Sequence, residues 1–243
     1  MTLKAKLKDL KNEGFNEMTH AFIAAKYYVY LTEVFGERGK KAFIHATQYY
    51  AETRGRRMAQ KAIRDGQELT YKTYMAYGEW VNTPFTIDNE LSNYSTIEGL
   101  SPDFVIEITR CPWHAQFVKM GLVEAGHEYC EHLDNSICRG FNPYLTYTVE
   151  QTLHKSASCI HRIKDQYYEE TPKVAKKMEY VKDWDYHCGH SYWSYNEVTG
   201  SIFGEEGERV NQRVLQDFKE EYGQEMADKL ATYKFTNFNV ISY

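Results

Sequence analysis

The chain has 243 residues, a formal net charge of −5 and a pI near 6.0. That length supports a buried core in one domain, and the charge gives no general attraction to nucleic acid. No run approaches the ~20 apolar residues of a membrane helix, and the lysine-spaced start (Lys4, Lys6, Lys8, Lys11) lacks the apolar stretch of a secretory signal, so a cytoplasmic protein without nucleic-acid or membrane partners is expected.

Leu3, Leu7 and Leu10 give the first 14 residues an amphipathic helical spacing. Residues 16–35 place Met18, Phe22, Ala25 and Val29 near one side of a helix. Phe35-Gly36-Glu37-Arg38-Gly39 breaks it, glycine being suited to a helix C-cap. A second helix is expected over 40–62, a tyrosine-rich one over 71–81, and a loop over 84–101. The middle third then changes character. Residues 103–110 read as a strand and 113–133 as one helix, while 145–153 alternates as a half-buried strand. The segment 154–157 turns into a further strand over 158–164. These form a β-α-β-β unit with a largely antiparallel sheet. Residues 169–183 link it to an aromatic helix over 184–202 and a last helix over 206–233.

Phe35-Gly36-Glu37-Arg38-Gly39, followed by Gly55, Met58, Ala59 and Lys61, has a counterpart in Phe203-Gly204-Glu205-Glu206-Gly207, Gly223, Met226, Ala227 and Lys229. The fold class expected is therefore α+β in a single domain. Two similar helical hairpin units (1–82 and 184–235) flank the sheet unit (100–165), with a pocket against the sheet. The bland alternative is that this five-residue pattern merely punctuates helix turns. The doubled aromatic helices also suit a homodimer.

Five cysteines, an odd number, point to reduced thiols rather than a disulfide framework, and 21 tyrosines suit a pocket apolar in body and polar at chosen points. Cys111 stands where a strand meets a helix, and exposed N–H groups there favour a thiolate. His114, three residues on, could add to that effect, and the competing reading is a buried thiol beside an exposed imidazole. Cys130 and Asp134 share a helical face at i, i+4, with Asp134 able to take a proton from water or to cap a helix. His187 and His190, at i, i+3, read as acid/base or substrate-binding residues, or as half of a metal site. Dinucleotide, P-loop and serine-elbow motifs are absent from the sequence.

Taken in order, the Phe-Gly-Glu-x-Gly turn, Arg54-Gly55-x-x-Met58-Ala59, Arg110-Cys111-Pro112, Tyr129-Cys130-x-x-x-Asp134, the Thr152-Leu153…Cys159 hairpin and His187-x-x-His190 resemble the family of L-2-amino-thiazoline-4-carboxylic acid hydrolases. The 153–159 turn is less glycine-rich than that family's pattern. The resemblance implies a hydrolase that opens a small nitrogen- and sulfur-containing ring at an amidine-like carbon, and it carries over the positions Arg110, Cys111, Cys130, Asp134 and Cys159; no cofactor is expected, a bound metal being the alternative. Such chemistry requires a nucleophile (Cys111, or water activated by Asp134), an acid/base (His187 or His190) and a cation for the substrate carboxylate (Arg54, Arg110 or a helix N-terminus). His114, Cys130 and Cys159 would complete the substrate contacts. The rival classes are a non-catalytic small-molecule sensor domain and a Cys/His metal or haem protein.

Overall fold

Asn16 starts the helical scaffold by accepting hydrogen bonds from the backbone N–H groups of Met18 and Thr19, at 2.9 and 3.2 Å, a cap worth about 1 kcal/mol. The computed structural model describes residues 3–241 except 9 and 13, and of residue 5 the backbone alone. After a short α1 (Leu3–Leu7), α2 (Glu17–Phe35) and α3 (Glu37–Arg64) form a hairpin across Gly36. Gly36 adopts φ 56° and ψ −131°, a left-handed region that disfavours any residue with a Cβ. Two short helices, α4 (Tyr71–Ala76) and α5 (Pro84–Asp88), lead to β1 (Tyr94–Gly99) and β2 (Phe104–Arg110). Then follow α6 (Pro112–Met120), α7 (Val123–Phe141), β3 (Tyr147–Gln151) and β4 (Cys159–Ile163), and finally α8 (Trp184–Phe203), α9 (Glu205–Tyr222) and α10 (Gln224–Ala231). No helix among the described residues is long and apolar enough to cross a membrane.

The fold is α+β, with one four-stranded antiparallel sheet in the order β1-β2-β4-β3. Its inner face is set by register. Ile108 pairs with Cys159, Ile106 with His161 and Phe104 with Ile163, and in β4 Cys159, His161 and Ile163 are the buried alternates. α7 packs over this face and α3 lies against α7. The two helix backbones come within touching distance at Gly55, beside Ile137, and at Gly140, beside Glu52. A Cβ at either glycine would overlap the facing backbone, so that crossing places α3 side chains directly above the sheet.

Four expected elements differ. The 71–81 helix stops at Ala76, and the expected loop over 84–101 holds both α5 and β1, so the sheet unit is β-β-α-β-β. The expected 113–133 helix is two helices, because Gly121 closes α6 in the left-handed conformation (φ 72°). α7 then runs on to Phe141, so Asp134 lies in its interior rather than at its end. The last helix breaks at Gly223 into α9 and α10.

Candidate active site

Between α3, α7 and the sheet lies a cavity of about 70 Å³, several times the ~10–15 Å³ that admits one water. Each wall follows from the elements above. α3 contributes Arg54. One face of α7 contributes Tyr129, Cys130, Leu133 and Asp134. β4 contributes the inward alternates Cys159 and His161, and the β2–α6 junction contributes Cys111 and Trp113. Ile108 of β2, with Trp80 and Asn93 from the loops flanking α5, completes it. Cys111, Cys130, Asp134, Cys159 and Arg54, all read from the sequence, therefore meet in one place.

Arg54 is the unusual member. It is 5 % exposed, and its Nε is buried with no hydrogen-bond partner. Among the described residues no carboxylate lies within 4.0 Å of its guanidinium, whereas nearby Arg57 and Lys61 both pair with Glu79 at 2.8 Å. Burial opposes Arg54's charge, but Tyr50 and Glu79 outweigh it and the net effect is upward, so it remains a cation. Its guanidinium lines the cavity without a carboxylate partner among the described residues, so an anion bound there would gain a charge-assisted pair. Asn93 adds a second unmet group, a buried Oδ1 without a donor among the described residues. The Asp134 side chain, also at the wall, has no hydrogen bond from any described residue.

The thiols are held as neutral groups. Cys111 is the N-cap residue of α6, and the N–H groups of His114 and Trp113 do favour its thiolate, but burial dominates and pushes the thiol up to about 12. The expectation of a helix-activated thiolate is thus corrected, because desolvation outweighs the helix start. Burial raises Cys159 to about 11 and Cys130 well above the usual thiol range, the latter also opposed by Cys111, Cys159 and Asp134.

The imidazole at this cavity is His161. Its Nδ1 lies 2.7 Å from the Tyr147 hydroxyl, and its other ring nitrogen has no partner among the described residues. Burial lowers its pKa, partly offset by Asp134. The sequence reading passed over it, although strand alternation puts it on the same face as Cys159. Behind the cavity, His20 anchors the Trp113 wall to α3. Indole N–H can only donate, so His20 Nδ1 accepts from Trp113 Nε1 at 3.1 Å and its Nε2–H reaches the Tyr50 hydroxyl at 2.9 Å.

Four expected site residues lie elsewhere. Arg110 is exposed, donating through Nε to Ser92 O at 2.8 Å and lying over the Tyr94 ring. His114 turns away from Cys111 and sets its Nδ1 3.3 Å from Nδ1 of His154. His187 is buried with its Nε2 donating to Glu79 O at 3.0 Å, and burial lowers it to about 3. His190 is enclosed by Thr53 Oγ1 at 2.8 Å, by Arg57, and by a stacked Phe238 ring. A metal site on this histidine pair is not formed. The described His, Cys, Asp and Glu residues gather three ligand atoms within 4.8 Å only at Glu128, Glu131 and His132 on α7.

No curated protein and no solved structure matches the chain. The family model described as L-2-amino-thiazoline-4-carboxylic acid hydrolase matches residues 15–161, a span that contains every residue lining the cavity and excludes His187 and His190. The chain belongs to the L-2-amino-thiazoline-4-carboxylic acid hydrolase family.

Proposed function

We propose that the cavity hydrolyses a small cyclic amidine that carries a carboxylate, of the thiazoline type in the family's name, by attack at the C=N carbon. The observation that carries this reading is Arg54, a buried guanidinium at the cavity wall with no carboxylate in ion-pair contact among the described residues. A substrate carboxylate accepting from it would satisfy charge and hydrogen bonds together.

With the carboxylate placed there, the remaining groups suit the other end of such a molecule. Asp134 accepts from an amidine N–H and stabilises its positive charge, and Asn93 Oδ1 accepts a second N–H. His161, with Nδ1 engaged by Tyr147, carries a proton at its other nitrogen to the departing ring atom. Trp80, Trp113 and Leu133 shed water around the ring. This replaces His187 with His161 as the acid/base and keeps Asp134 at the reacting centre.

The test is incubation of the protein with 2-amino-thiazoline-4-carboxylate. A ring-opened product heavier by one water is expected. Asp134→Asn and His161→Asn should each lower kcat by about 10²–10⁴-fold. Unchanged kcat in both variants would remove these groups from the reaction.

A further inference from the structure

Cys130 and His154 form a pair that the proposed acid/base groups do not use. The Cys130 thiol lines the cavity and lies 3.6 Å from Nε2 of His154. His154 sits outside the cavity, just after β3, on a built seat. Gly126 is one turn before Cys130 on α7, and a Cβ there would come within 2.6 Å of both His154 ring nitrogens. Phe117 meets the ring edge-on at 5.6 Å. On the far side, His114 Nδ1 faces His154 Nδ1 at 3.3 Å.

We propose that Cys130 is the nucleophile, with His154 as its general base and His114 as the positioning residue behind it, in a covalent route for the reaction proposed above, on which this inference rests. The hydrogen-bond directions are consistent with one tautomer. A neutral imidazole has one N–H, so a His154 that accepts the Cys130 S–H at Nε2 donates from Nδ1 to Nδ1 of His114. Nucleophile, base and orienting third group then stand in the order such sites require. Burial keeps the resting pair neutral, raising the thiol and lowering His154 to about 3, so the proton moves as the sulfur attacks.

The step balances as follows. The Cys130 sulfur bonds to the amidine carbon while its proton passes to His154 Nε2, and the C=N pair moves onto nitrogen. That pair then re-forms C=N as the bond from carbon to the ring heteroatom breaks, and the leaving atom takes a proton. Water adds to the same carbon and gives a proton to the imidazole, while the C=N pair moves onto nitrogen. The hydroxyl proton passes to that nitrogen as C=O forms, the C–S bond breaks, and the sulfur recovers its hydrogen from the imidazolium. One water is consumed, and no oxidant or reductant is needed.

Cyanamide probes this directly, because a thiol adds across its C≡N bond to give an S-amidino adduct of the same kind as the intermediate, which a rapid acid quench traps before water removes it. Intact mass should show one equivalent added, and peptide mapping should place it on Cys130. Cys130→Ser should abolish the labelling, and His154→Asn should slow it by about 10²-fold or more. His114→Asn, which keeps an acceptor, should label faster than His114→Leu. Labelling of Cys111 or Cys159 instead, no labelling, or a His154→Asn rate equal to that of the parent would overturn the proposal. Full turnover of a thiazoline substrate by Cys130→Ser would also overturn it. A protein that labels at Cys130 yet hydrolyses no cyclic amidine would contradict the substrate reading and leave the thiol–imidazole pair standing.

Discussion

Phe35 and Phe203 stack face to face, with ring centroids 3.7 Å apart and planes 4° from parallel. Each ends a long helix one residue before a glycine, and the two glycines share a backbone conformation, φ 56°, ψ −131° at Gly36 and φ 58°, ψ −134° at Gly204. The stack ties the α2–α3 turn to the α8–α9 turn. In a double-mutant cycle of Phe35→Leu and Phe203→Leu, measured by urea unfolding, a coupling of about 0.5–1.5 kcal/mol is expected. Additive losses would mean that the rings contribute only their separate burial.

The Glu79 carboxylate holds Arg57 and Lys61 together in the protein interior. Glu79→Gln should destabilise the fold by about 3–5 kcal/mol, because two buried cations lose their counter-charge. A loss below 1 kcal/mol would show that the cluster is more hydrated than its burial indicates.

Acid stability should fall in two stages. His154 and His187 are lowered to about 3 by burial, so the unfolded chain takes up protons that the folded one refuses, and stability declines as pH drops below about 6.5. For Glu79, burial raises the pKa, but Arg57 and Lys61 outweigh it and leave the group at about 2. Its stabilisation is present above the unfolded value of 4.5 and is lost as pH falls through that window toward 2. Thermal melts from pH 8 to 3 test both stages. His154→Asn should shrink the upper stage to the share of the remaining buried imidazoles and leave the lower stage unchanged.

Much of this was legible in the residues. Alternation located β3 and β4, and Arg-Cys-Pro marked the strand-to-helix junction. The Cys130/Asp134 spacing put both side chains on the cavity face of α7. β1 was not legible, because five of its six residues are exposed and it carries no buried alternates. The Cys111 reading weighed the helix start without the burial that reverses it. His187 and His190 looked like site residues because two imidazoles at i, i+3 suit metal ligation or acid/base work. Glu79 O, Thr53 and Arg57 supply their partners instead, and all three are distant in sequence. His161 could have been found from Cys159 by counting two along a strand.

Arg54 bears most directly on the central claim that the cavity is an anion-anchored hydrolytic site. The decisive measurement is steady-state hydrolysis of 2-amino-thiazoline-4-carboxylate and of its carboxamide by the parent protein and by Arg54→Met, with melting temperatures recorded for both. The variant should raise KM for the carboxylate by about 10²-fold, the ~3 kcal/mol of a charge-assisted pair. Little further change is expected with the carboxamide, and the melting temperature should stay close to the parent's, since no ion pair to Arg54 is lost among the described residues. Equal KM values in parent and variant, or a variant that unfolds because Arg54 was holding the core together, would contradict the claim.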